Sequence, residues 1–254
     1  MTNLLYQTDS YLKEFEALVT ALDEESHGII LDQSAFYPGG GGQPADSGLI
    51  TLVDPVGATQ LPDGGTPAFR VKRARKAGDQ VTHLIEGEGP LPAVGSRVRG
   101  QIDWDLRHQL MRTHTALHIL CGVVFRDYGA SVTGGDMEPL KGRMDFEFET
   151  MHKELVDEIQ AAVNREVAAA RPVRVEILPR EQAFQIPDLI RTKINLLPEG
   201  ISHVRVVEIS GLDLQADGGT HVHNTAEVGQ IRVVDYKSKG KINKRIYIEV
   251  IDGK

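Results

Sequence analysis

The rhythm of hydrophobic positions changes near residue 98. Before it, short apolar stretches such as "GIILDQSAFYP" and "FRVKRARK" are separated by clusters of Gly, Pro and Asp, the pattern of strands punctuated by turns. "PGGGGQPADSG" (38–48) is too rich in glycine to be the interior of an element, and "LVDPVGATQLPDGGTP" (52–67) reads as a loop or hairpin tip. "GEGPLPAVGSRV" reads as a connection into a new unit, which divides the chain into 1–98 and 99–254. Beyond the boundary, "DLRHQLMRTHTALHILCGVVFRDYG" (105–129) predicts a long, largely buried helix. Leu110, Leu117, Ile119, Leu120 and Val124 form its broad apolar stripe and Gly129 its stop. "GRMDFEFE" alternates Met144, Phe146 and Phe148 on one face, as a strand does. Residues 151–170 predict a second helix with Leu155, Ile159, Val163 and Val167 inward. "PVRVEILPR" and "HVRVVEISGLDLQ" predict strands, and "GQIRVVDYKSKGKINKRIYIEVID" a terminal hairpin with a basic tip near Gly240. Strands and helices mix without regular βαβ alternation, so the fold class is α+β.

Composition narrows the setting. At 254 residues, 41% hydrophobic and 25% charged, the chain suits a water-soluble protein of one large or two modest domains. No apolar run approaches the roughly 20 residues that span a bilayer. The N-terminus lacks the basic-then-apolar pattern of a signal peptide. The single cysteine, Cys121, fits a reducing compartment, so a cytoplasmic location is expected. A net charge of −8 argues against a protein that coats DNA but leaves room for local basic patches. Two segments qualify, "RVKRARK" (70–76) and "KSKGKINKR" (237–245), the latter holding Lys237, Lys239, Lys241, Lys244 and Arg245. Each is either a phosphate-facing surface or a solvated strand edge.

Three stretches carry candidate chemistry. "HTALH" puts His114 and His118 one helical turn apart on one face, suited to two nitrogen ligands on one zinc. The metalloprotease form of this spacing has Glu after the first His, whereas Thr115 stands here, so the motif supplies no general base. Alone it is compatible with ordinary surface or core histidines. In "QADGGTHVHNT", Asp217 and His221 flank a Gly-Gly-Thr turn that lets both side chains converge on a metal. The plainer reading is a hairpin turn with incidental histidines. Together the two motifs make a four-ligand set from a helix and a distant loop. "LDQSAFYPGGGGQPADSG" (31–48) lacks the Lys and Ser/Thr of a phosphate-binding loop. It reads either as a plain loop or as one that closes over a small substrate, with Ser34 and Gln43 as polar contacts.

These three motifs, in this order, resemble the free-standing alanyl-tRNA editing proteins of the AlaX family, relatives of the editing domain of alanyl-tRNA synthetase and, more distantly, of threonyl-tRNA synthetase. The resemblance runs from about residue 28 to 236, and the glycine-rich motif is similar to that of the medium-length members. It implies a β-barrel-like domain ahead of a two-layer editing domain with a mainly antiparallel sheet and long helices. It implies hydrolysis of alanine tRNA mischarged with serine or glycine. It implies one zinc ion per chain, held by His114, His118 and His221, with Asp217 where the family usually has cysteine. It associates Ser34 with recognition of the serine hydroxyl. On this reading Gln43, Gly218, Gly219 and Thr220 form the catalytic set, and Ser34, Gly41 and Gly42 meet the substrate. The lysines at 237, 239, 241 and 244, with Arg245, meet the tRNA. The partner is mischarged alanine tRNA, neither DNA nor membrane, and the protein is a monomer or a homodimer. A metal hydrolase of small esters or amides, and a non-catalytic RNA-binding module with a structural metal, are the competing readings.

Overall fold

A computed structural model describes residues 1–53, 67–191 and 200–253. The fold is mixed α+β, and the chain forms two compact units. The first comprises Met1–Gly40 and Pro44–Arg107, the second Gly41–Gln43 and His108–Lys254.

The first unit is built on strands β1 (Asn3–Leu4), β2 (Glu14–Asp23), β3 (Gly28–Leu31), β4 (Gln33–Ser34), β5 (Gly48–Leu52), β6 (Ala68–Ala77), β7 (Gln80–Ile85) and β8 (Arg97–Ile102). Six of them close into an antiparallel barrel in the order β2-β3-β7-β6-β5-β8, because β8 pairs with both β2 and β5. Closure leaves no unpaired backbone edge among these strands. The two-residue period is plain in β2, where Phe15, Ala17 and Val19 point inward and meet Ile50 and Leu52 of β5 and Val98 and Ile102 of β8. Residue 98, where the sequence changes texture, lies inside β8. Of the loop expected over 52–67, residues 54–66 fall outside the described residues.

Two buried polar groups tie this unit together. Arg107 is fully buried and ion-pairs with Asp46, while its other nitrogens donate to the carbonyls of Ser10 (2.8 Å) and Ala35 (2.7 Å). Removing either partner of so dry a pair costs on the order of 3–5 kcal/mol, because the other charge is left uncompensated. Deeper in the barrel, the Ser34 hydroxyl lies 2.7 Å from Nε2 of His83, whose Nδ1 lies 2.9 Å from the carbonyl oxygen of Ile29. That carbonyl only accepts, so Nδ1 carries the proton and Ser34 donates to Nε2. Burial pulls the His83 pKa down to about 4.

Helix α1 (Trp104–Tyr128) begins at the end of the first unit and runs through the second. It is buried on several faces rather than along one stripe: Leu110, Met111, Ala116, Ile119, Val123 and Val124 are all inaccessible. Gly129, at φ +64°, ends it in a left-handed conformation open to glycine. The second unit continues with β9 (Val132–Glu138), β10 (Lys141–Glu147), α2 (Lys153–Ala168), β11 (Val173–Pro179), the single turn α3 (Arg180–Ala183), β12 (His203–Ile209), β13 (Asp213–Ala216), β14 (Gln230–Ser238) and β15 (Asn243–Ile251). Two antiparallel sheets result, β14-β15-β10-β9 and β11-β12-β13. In α2 the inward residues are Val156, Ile159 and Val163, while Leu155 and Val167 are half-buried. Two amide side chains of α2 stitch it to β14. Asn164 donates to the carbonyl of Ile231 and accepts from its N–H, and Gln160 accepts from the N–H of Val233. No helix among the described residues is long and apolar enough to cross a membrane.

Candidate metal centre

"QADGGTHVHNT" is not a hairpin turn. β13 ends at Ala216 and, among the described residues, pairs only with β12, and residues 217–221 leave the sheet as a loop. The loop lies against α1 so closely that a Cβ on Gly219 would stand 2.3 Å from Cε1 of His114 and 2.6 Å from Oε1 of Gln43. Only glycine fits there. The helical spacing of His114 and His118 and the tight path of the loop bring His114, His118, Asp217 and His221 together, with one potential ligand atom from each inside a 4.8 Å span. Nε2 of His221 is 2.9 Å from Asp217 Oδ2, and Nε2 of His114 is 3.5 Å from Oδ1.

Each imidazole is held by its far nitrogen. Oε1 of Gln43 faces Nδ1 of His114 at 3.0 Å and the backbone N–H of Thr220 at 3.0 Å, while its Nε2 donates to the Thr220 hydroxyl. A backbone N–H can only donate, so this oxygen is an acceptor and His114 carries its proton on Nδ1. Nδ1 of His118 lies 3.0 Å from Oδ2 of Asp213, and Nδ1 of His221 lies 3.2 Å from the Thr115 hydroxyl. The three Nε2 atoms thereby cluster beside the Asp217 carboxylate, where His221 donates to Oδ2 in the absence of a metal. Metal-binding histidines are typically fixed by the far nitrogen in this way.

Burial disfavours the charged form of all three imidazoles, with a different balance at each. Burial holds His114 well below the usual imidazole range and brings His221 to about 4, so both stay neutral and able to ligate. Burial also acts on His118, but the hydrogen bond and charge of Asp213 outweigh it and raise that pKa. Burial opposes ionisation of Asp217, yet His114 and His221 beside it keep its carboxyl well below the ordinary carboxylate range. Three imidazole nitrogens and one carboxylate oxygen are an ordinary donor set for a divalent transition metal such as zinc. The residues therefore fit the metal that the sequence motifs imply.

Three of the four, His114, His118 and Asp217, line a cavity of about 610 Å³ within the second unit. Gly41, Gly42 and Gly218 also line it, and Leu117, Met137 and Met144 give it an apolar side.

Comparison with known proteins gives this geometry a family. A model described as "Threonyl and Alanyl tRNA synthetase second additional domain" matches residues 204–247, and one described as "tRNA synthetases class II (A)" matches residues 5–106. The alanyl-tRNA editing protein AlaX-M of Saccharolobus solfataricus is 39% identical over 98% of this chain and 99% of its own length. That of Methanosarcina acetivorans is 36% identical over 99% and 100%. The chain belongs to the AlaX-M family of alanyl-tRNA editing proteins. It is also similar, at 35% identity over 92% of its length, to 24% of the alanine–tRNA ligase of Ignicoccus hospitalis. Asp217, at the position where the sequence resemblance implies a cysteine, lies among the three histidines.

The other sequence candidates have varied surroundings. Gln43 has both ends of its amide engaged, by His114 and Thr220, so it positions an imidazole. The N–H of Gly219 is given to Asp217 Oδ2 (2.8 Å) and that of Thr220 to Gln43, while Gly218 faces the cavity. Ser34 is fully buried in the barrel on His83. In the β14–β15 hairpin, Lys244 is buried and its Nζ donates to the carbonyls of Gly240 and Lys241, which staples the turn. Arg245 forms a bidentate pair with Asp145 at 2.6 and 2.7 Å. The exposed cations of the tip are Lys237, which pairs with Asp235, and Lys239 and Lys241. Sequence reasoning missed Thr115 and Asp213 as holders of imidazoles. Thr115 sits inside "HTALH" itself, and Asp213 is a carboxylate four residues before Asp217.

Proposed function

We propose that this chain is a trans-editing deacylase. It hydrolyses the ester that joins a wrong amino acid, serine or glycine, to alanine tRNA, and it works with one bound zinc ion. The observation that carries this reading is the cluster of His114, His118, Asp217 and His221, the first three of which line a 610 Å³ cavity, in a chain of the AlaX-M family.

When bound, a zinc ion supplies Lewis acidity, which polarises a carbonyl or lowers the pKa of water. The chain's own residues do the rest. Gln43 and Asp213 fix the tautomer of His114 and His118, and Thr115 holds the angle of His221, so the three rings are already oriented before a metal binds. Asp217 is anchored by the Gly219 N–H and by Arg205, which donates to its backbone carbonyl. Leu117, Met137 and Met144 keep one side of the cavity dry, which strengthens each polar contact made inside it. Gly41, Gly42 and Gly218 let a substrate approach the backbone closely. Lys237, Lys239 and Lys241 are the cations available to a tRNA backbone on the hairpin, and Ser34 is the candidate reader of the serine hydroxyl.

The test is release of amino acid from seryl-, glycyl- and alanyl-charged alanine tRNA, with and without a chelator. The expected result is chelator-sensitive turnover of the first two with the alanyl ester spared. Absence of turnover on all three by zinc-loaded protein would overturn the proposal. Chelator-sensitive cleavage of simple amino-acid esters with no gain from the tRNA would favour a small-ester hydrolase instead.

A further inference from the structure

Asp213 opens β13 beside α1, and its side chain is fully buried. Its two oxygens are treated unequally. Oδ2 faces Nδ1 of His118 at 3.0 Å and accepts from Nε2 of Gln215 at 2.7 Å. Oδ1 is buried and has no hydrogen-bond partner among the described residues. Leaving a carboxylate oxygen dry and unmatched is costly. What stands opposite is Arg191, whose Nε is 3.6 Å from that oxygen. This nitrogen and Nη1 are themselves buried without a hydrogen-bond partner among the described residues. The guanidinium lies 3.7 Å over the ring of Phe125, on the same helix as His118. The two orphaned groups account for each other as a carboxylate and a guanidinium whose charges meet in a dry space.

We propose that Arg191 and Asp213 are positioning residues that set the affinity of the metal centre through His118. The chain of contact runs Arg191 to Asp213 Oδ1, Asp213 Oδ2 to His118 Nδ1, and His118 Nε2 to the centre. A carboxylate on Nδ1 fixes ring orientation and makes the opposite nitrogen a stronger donor. Such donation matters more here because the only anionic member of the four-ligand set is the harder oxygen of Asp217. Arg191 keeps the Asp213 carboxylate seated, and Gln215 holds its other side. Gly122 makes the arrangement possible. A Cβ there would lie 2.9 Å from Cγ of Leu212 and 3.1 Å from Cβ of Asp213, so the start of β13 presses directly on the helix that carries His118. This inference rests on the metal reading of the cluster.

The experiment measures Zn2+ affinity of the full chain by competition with a chromophoric chelator, together with the absorption spectrum of the Co2+ form. Asp213→Asn keeps an acceptor for His118 and removes the charge. It should weaken Zn2+ binding by roughly 10- to 100-fold and shift the Co2+ bands. Arg191→Gln should act in the same direction, and the double variant should lose less than the product of the two single losses, because both act through one link. Arg191→Lys should recover part of the affinity. A purely structural role predicts a lower melting temperature of the metal-free variants with Zn2+ affinity and Co2+ bands unchanged, and that outcome would overturn the proposal. If Asp213→Asn fails to fold, Arg191→Gln decides on the same criterion. Failure of the wild-type chain to bind either ion would remove the metal reading itself, whereas tight wild-type binding that both substitutions leave unaltered would remove only this inference.

Discussion

Lowering the pH from 7 to 5 should destabilise the barrel through one residue, His83. It is fully buried, donates to the Ile29 carbonyl and accepts from Ser34, so its neutral form is the one the barrel accommodates. Its pKa is about 4 in the folded chain against 6.5 for the ordinary side chain. Between those values the unfolded chain binds the extra proton and the folded chain does not, so stability falls as pH falls. The contribution is complete above about 6.5 and is lost progressively down to about 4. A gap of that size corresponds to about 3 kcal/mol in full, and to about 2 kcal/mol between pH 7 and pH 5. His83→Gln keeps a polar side chain for Ser34 but does not titrate. Urea unfolding of wild type and variant, both stripped of metal with a chelator, should therefore show a wild-type loss from pH 7 to 5 that exceeds the variant's by that amount. Burial also lowers the pKa values of His114 and His221, but both residues are common to the two proteins and cancel in the difference. Equal losses in the two proteins would refute the assignment of His83 as a neutral, buried group.

Three further outcomes follow from the site. Asp217→Cys should keep or tighten Zn2+ binding, and Asp217→Ala should weaken it by more than the roughly 10- to 100-fold that removal of an outer partner costs; chelator competition reads both. Replacing Lys237, Lys239 and Lys241 together by Ala should weaken tRNA binding and lower the slope of log affinity against log salt by roughly 2 to 3, whereas Lys244→Ala should chiefly lower stability. Ser34→Ala leaves His83 without its hydroxyl partner and should cost about 1–3 kcal/mol of stability. If Ser34 also reads the serine hydroxyl, the ratio of seryl to alanyl deacylation falls as well, and an unchanged ratio confines it to the barrel.

Much of this was legible one segment at a time. The run 105–129 announced α1 to within a residue, because a stretch with helically spaced apolar positions and no proline or glycine-rich break before Gly129 has few other outcomes. "HTALH" and "DGGTH" showed the candidate ligands because helical and turn geometry operate over four residues. The order in which β2, β3, β7, β6, β5 and β8 close was not legible from these residues, since barrel pairing is decided between strands far apart in sequence. The outer contacts were hidden for the same reason. Gln43 reads as a substrate contact when "PGGGGQP" is seen alone, and its role at His114 exists only once the fold joins residues 71 apart. Lys244 and Arg245 read as surface cations like their neighbours. Their commitment to a turn and to Asp145 depends on which face of β15 they occupy.

The grouping of Gly41–Gln43 with the second unit bears on how the protein can be taken apart. A fragment beginning at His108 would keep all four candidate ligands and look, by sequence, like a complete metal-binding module. It would lack the one side chain that tells His114 which nitrogen to protonate, and the hydroxyl of Thr220 would lose its donor. The module is therefore discontinuous in the gene as well as in the chain. Deletions or fusions made at the obvious seam should yield a site with its histidines present and one of them free to turn.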